Sequence, residues 1–151
     1  KTPATARRQA TLLRRRLTTL DAQAWTMISQ SEHEVANQML LAAAVKHSHL
    51  LGDFLLKVYA HRQRRLEPAL APVDWHDFLA ECAHRDPAVA GWSESTRAKL
   101  FQVIVRILVE AKYLDNARTM KLTPRSLHPD VRRYLAARHE TYVLDCLERA
   151  P

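Results

Sequence analysis

Glycine is nearly absent: only Gly52 and Gly91 occur in 151 residues. Phosphate-cradling loops and tight hairpins need glycine for positive φ or close backbone approach, so the scarcity argues against a P-loop or dinucleotide-binding site and favours helices. Cysteine is equally scarce. Cys82 and Cys146 lie far apart with no signal sequence before them, which points to a reducing compartment and buried structural thiols. No apolar run approaches the roughly 20 residues of a membrane span. The longest, around 100–111, is interrupted by Gln102, Arg106 and Glu110. No membrane partner is expected, and the location is expected to be cytoplasmic. The first residue is Lys1 rather than methionine, so an upstream segment is expected, and a targeting signal there stays open.

Catalytic signatures are missing too. Nucleophile elbows and paired-acid motifs do not occur. His47 and His49 are two residues apart, whereas a shared metal on a helix wants a spacing of about three or four; "HEVAN" (33–37) lacks the second histidine of a zinc-protease helix. Asp53, an acid inside "LLGDFL", is read as a hydrogen-bonded or ion-paired structural residue. The chain is therefore expected not to be an enzyme, with no metal and no cofactor.

What remains is charge and helical periodicity. Hydrophobic residues make up 47% and charged residues 26%, ordinary for a globular domain, while the formal net charge is +7. That charge is gathered rather than spread. Residues 1–20 carry +6 without one acid, 21–115 carry −2, 116–138 carry +5 and 139–151 carry −2. Such blocks point to an anionic partner.

In "TARRQATLLRRRL" (5–17), helical steps place Ala6, Ala10, Leu13 and Leu17 on one arc. Arg7, Arg8, Arg14 and Arg15 fall opposite, with Arg16 off the stripe. Guanidinium forks match phosphate oxygens, so these five arginines form the first candidate surface. A solvated face is the bland alternative, but no acid relieves the like charges. A membrane-surface helix is disfavoured because its apolar arc has no aromatic and is expected to pack on the rest of the chain.

Further helices are expected from Asp21 as a cap, from a Ser31–Glu34 capping box, through Leu51–Val58 with a bend near Gly52, from Asp74 as a cap, and from Ser93 over about 94–112. Two more carry Val131–Leu135 and Tyr142–Leu147. "HRQRR" (61–65) is read chiefly as a helix C-terminal cap, and Trp25, Trp75 and Trp92 as core. The fold class is all-α: a compact bundle of about seven helices, or two lobes, 1–66 and 73–151, joined through the Pro-containing 67–72.

The second basic segment follows the longest helix. Arg118, Lys121 and Arg125 lie in an extended loop, and Arg132 and Arg133 on a short helix. Helix, short strand and basic loop resemble the wing of a winged-helix module, a degenerate element near 113–138 with no second strand to complete it. These five residues form the second candidate surface. Nothing in the sequence indicates base reading.

"TARRQATLLRRRL" (5–17), "LLAAAVKHSHLLGDFL" (40–55), "DW" (74–75), "RDPAVAGWSESTRAKL" (85–100) and "VRRYL" (131–135) together resemble the BrxA family, accessory proteins of the BREX bacteriophage-exclusion systems. The resemblance spans nearly the whole chain, in order. It implies a helical, non-enzymatic protein that binds double-stranded DNA and works beside other BREX components, with an additional N-terminal segment. It carries over no catalytic residue. An adaptor docking an acidic face of another defence component, or an RNA-binding protein, would use the same arginines.

Overall fold

The computed structural model describes residues 2–123 and 125–148. All its regular elements are helices: α1 (Pro3–Leu17), α2 (Ala22–Gln30), α3 (His33–His47), α4 (His49–Arg64), α5 (Pro72–Arg85), α6 (Pro87–Ala90), α7 (Glu94–Glu110), α8 (Pro129–Ala137) and α9 (Thr141–Glu148). The all-α expectation holds.

Local chemistry explains most of the boundaries. The Asp21 carboxylate accepts from Ala24 N at 2.9 Å and the Ser93 hydroxyl from Thr96 N at 3.3 Å, each satisfying an orphan amide of its helix. Three expectations differ. Helix α3 starts at His33 with Glu32 before it and no side-chain cap, so Ser31 and Glu34 form no capping box. Helix α5 starts at Pro72, which needs no amide partner, and Asp74 sits one turn in, accepting from Ala71 N at 2.7 Å. The bend lies at Ser48 rather than Gly52: α3 and α4 meet at 112°, and α4 is wound as a π-helix over Leu55–Tyr59.

Helix α3 is the centre. Val35, Gln38, Met39 and the run Leu41–Val45 are all buried, while Leu40 is exposed. One cluster of buried side chains joins α3 to Phe54, Tyr59, Trp75, Phe78, Ile104, Leu108, Tyr134, Cys146 and Leu147. Both cysteines are free and buried, and burial pushes the Cys146 thiol up to about 12. Gly52 is required where it stands: a Cβ there would lie 2.4 Å from the Tyr142 hydroxyl. That hydroxyl donates to Asp53 at 2.8 Å, so Asp53 has the structural role read from sequence. No single helix among the described residues is long and apolar enough to cross a membrane.

Three short extended segments lie side by side. Residue 121 pairs antiparallel with Ala69, and Leu122 with Leu114. Leu122 N donates to Pro68 O and Leu70 N to Met120 O on one side; Thr123 N donates to Tyr113 O and Asp115 N to Lys121 O on the other. The expected lack of a second strand is thus corrected: the 121–123 segment has a partner on each flank, each too short to leave an alternating pattern in the sequence.

Candidate nucleic-acid interface

Helix α1 is built locally and carried lightly. Thr2 caps it, its hydroxyl accepting from Thr5 N at 3.3 Å, and Pro3 fits its first turn. It contains no buried residue. Leu17 packs against the core and Leu20 beyond it is buried, but Leu13 is 55% exposed and Leu12 38%. The expectation that the rest of the chain covers this apolar arc therefore holds only at its C-terminal end.

Arg7, Arg8, Arg14 and Arg15 are all exposed, and none forms an ion pair among the described residues. The helix dipole accounts for cations in the last turn, where Arg14 and Arg15 sit, but not for Arg7 and Arg8 nearer the start. Arg16 differs, as its angular position indicated. It lines an apolar cleft with Leu13, Leu17, Leu40, Ile107 and Glu110. Burial lowers its pKa first, and the nearby Arg106 charge adds to that. Its Nε has no hydrogen-bond partner among the described residues. Arg16 thus joins α1 to the C-terminal end of α7.

The second segment is divided. Arg118 and Lys121 are exposed, with no ion pair among the described residues. The loop that presents them is ordered by Asp115, whose Oδ1 accepts from Asn116 N at 2.6 Å and Lys121 N at 2.8 Å. Thr119 Oγ1 donates to its Oδ2 at 2.5 Å, the main cause of a lowered Asp115 pKa. Arg125 turns back, Nε donating to Lys112 O at 3.3 Å and Nη1 lying 3.9 Å from Glu34. Arg132 pairs with Glu148 at 3.0 Å and Arg133 with Asp130 at 3.0 Å. So three of these five residues form ion pairs, and the Lys121 charge also acts on Asp115.

Gln38, which sequence reasoning passed over, fixes this segment to α3. Its Nε2 donates to Ser126 O at 3.0 Å and its Oε1 accepts from His128 N at 2.8 Å. Its only sequence signal is a polar residue inside an apolar helix. Exposed Lys112 is a further cation beside the loop. Of the tryptophans, Trp75 is buried and Trp92 packs on the core, but Trp25 is 44% exposed beside Arg14 at the α1–α2 groove, which corrects its reading as core. In "HRQRR", Arg62 bonds Glu67 and Asp74, and Arg64 Nε donates to Ala60 O at 3.2 Å, so these cations serve the helix end and the turn after it.

The BrxA family model matches residues 1–139. The chain belongs to the BrxA family. It is 38% identical over 148 residues to the BREX protein BrxA of Paramagnetospirillum magneticum, an alignment covering 98% of this chain and 74% of that one. Identity to the BREX protein BrxA of Escherichia coli O9:H4 is 32% over 146 residues, covering 97% and 68%. A crystal structure of an uncharacterized protein from Magnetospirillum magneticum is similar at a TM-score of 0.87, with 38% identity and 94% and 75% of the two chains covered. The protein is thus a BrxA-family member of the BREX phage-defence systems.

Proposed function

We propose that this BrxA-family chain binds double-stranded DNA through phosphate contacts and performs no catalysis itself, serving other BREX components as a DNA-bound accessory. The observation that carries this reading is the set Arg7, Arg8, Arg14 and Arg15: four exposed guanidiniums on one ordered helix, with no ion pair among the described residues. Holding like charges in register costs free energy in the isolated chain and is offset when a polyanion releases its condensed counterions. Arg118 and Lys121 add a second, smaller source of positive charge. Arg16, Arg125, Arg132 and Arg133 contribute less, because each is desolvated or already beside a carboxylate.

A competition assay tests the reading. Labelled duplex is challenged with unlabelled duplex, single-stranded DNA and RNA at several salt concentrations. The expected result is a steep loss of affinity with salt and preferential displacement by duplex. Displacement by RNA at lower concentration would move the function to RNA. No retardation at low salt, together with a saturable nuclease-resistant protein complex, would replace DNA binding by an adaptor role.

A further inference from the structure

Helix α1 leaves apolar side chains uncovered on the flank turned towards the rest of the chain. Leu40 of α3 is 42% exposed, and exposed Leu13 stands between it and exposed Trp25, because the two clefts beside α1 share Leu13. Single exposed leucines are ordinary on a protein surface, but a set gathered along a groove marks a contact surface. The cleft on the Leu40 side is walled by three helices. Leu13 and Leu17 come from α1, Asn37, Leu40 and Ala44 from α3, and Ile107 from α7. On α1 and α3 these residues recur three or four positions apart, so the walls are rows along helices. The cleft encloses about 160 Å³. Sites for drug-sized ligands and cofactors start at roughly 300 Å³, so this one suits a side chain or two of a partner rather than a small molecule.

Two polar groups in these apolar walls have no partner. Arg16 Nε is shielded from solvent and makes no hydrogen bond among the described residues, and the Asn37 side-chain amide makes none either. A desolvated guanidinium nitrogen without an acceptor costs free energy, and an incoming carboxylate would recover it as a charge-assisted hydrogen bond. The rim keeps a positive excess, Arg16 and Arg106 against Glu110, which Arg106 approaches at 3.9 Å. Those features disfavour other occupants. The phosphate backbone of a duplex gains nothing from apolar walls. A second copy offering its own α1 would bring five arginines and no acid to a rim that is already positive.

We infer that the cleft between α1, α3 and α7 docks an acidic amphipathic helix of a partner protein. The partner inserts an apolar side chain between Leu13 and Leu40 and sets a carboxylate, one turn away, against Arg16. Helix-in-groove recognition works through anchors at this spacing. The cleft lies off the arginine stripe of α1, so the inference does not depend on the DNA-binding reading.

The test selects a displayed library of helical peptides, each about four turns long, against the full chain at physiological salt. The expected binders carry Leu or Phe with Asp or Glu three or four positions away. A selected peptide, made synthetically, should bind the L13S/L40S variant at least roughly tenfold more weakly; both changes are neutral and at exposed positions. The R16Q variant should also lose about tenfold for that peptide, yet bind the peptide's Glu→Gln counterpart as wild type does, a charge dependence that a merely structural role for Arg16 would not produce. Should R16Q loosen α1, seen by circular dichroism, the Glu→Gln peptide against the wild-type chain reads the same contact from the other side and should itself bind about tenfold more weakly. A library that yields no binder, binders without an acid preference, or affinity untouched by L13S/L40S would overturn the inference. Duplex affinity that falls as far as peptide affinity in L13S/L40S would overturn it in favour of nucleic acid in the cleft. A dimer in sedimentation velocity that L13S/L40S abolishes would overturn it in favour of a second copy.

Discussion

Helix α1 and the 116–133 segment look alike in a charge count and differ once folded. In α1 the four stripe arginines are exposed and form no ion pair with a carboxylate among the described residues. In the second segment Arg125, Arg132 and Arg133 lie within 4 Å of Glu34, Glu148 and Asp130, all contributed by helices. Glu34 is far away in sequence, and Glu148 lies on the following helix. Local charge excess therefore identifies a contact surface only where the fold brings no acid back to it. A peripheral helix such as α1 meets that condition more readily than a segment pinned to the centre by Gln38.

The largest expected effect follows from this contrast. Reversing Arg7, Arg8, Arg14 and Arg15 to Glu should reduce duplex affinity at least roughly 100-fold at moderate salt, because four phosphate contacts become repulsive. Circular dichroism should show the helical content retained, since all four substituted side chains are exposed. Reversing Arg132 and Arg133 should change affinity only about three-fold, since exposed pairs with Glu148 and Asp130 already offset their charge. Equal losses from the two variants, read by gel retardation, would erase the distinction.

Stability sharpens the comparison from the other side. Gln38→Leu leaves Ser126 O and His128 N without their partner, so denaturant unfolding should show a loss of about 2 kcal/mol, with duplex binding through α1 little changed. Amide exchange should separate the regions in the intact protein. Amides of α1 should exchange through local opening, and those of α3 only through global unfolding.

The smallest effect lies at the junction of α2 and α8. Asp21 accepts from Ala24 N, from Tyr134 OH at 3.0 Å and from Arg138. The amide bond of Ala24, with Arg138 and Tyr134 adding to it, holds the Asp21 pKa below the ordinary carboxylate value. A depressed folded-state pKa contributes stability that is present above the unfolded value and lost as pH falls through the folded one. Asp21→Asn should therefore lower the unfolding midpoint slightly at neutral pH, and the difference from wild type should shrink below about pH 4.

Much of this was legible before folding. The α1 stripe, the off-stripe position of Arg16, and the Asp21 and Ser93 caps follow from helical periodicity and orphan amides, both local properties. What was not legible depends on partners remote in sequence. Ala69 and Leu114 pair through single residues, which leave no alternation to detect. Trp25 carries the periodicity of a core residue, yet α1 does not cover it. Ser31 and Glu34 have the spacing of a capping box, but the chain enters α3 at His33 with Glu32 as the flanking residue. The ion pair of Arg125 joins it to Glu34 on α3, far back in the chain, and that of Arg132 crosses from α8 to Glu148 at the end of α9.

The most direct measurement is the salt dependence of duplex affinity for the wild-type chain beside the variant with Arg7, Arg8, Arg14 and Arg15 replaced by Ala. If each guanidinium displaces a condensed cation, the variant's log–log slope should be shallower by about 3.6, or roughly 0.9 for every phosphate no longer neutralised. Superimposable slopes would contradict the account, because they would mean that α1 takes no part in holding the polyanion.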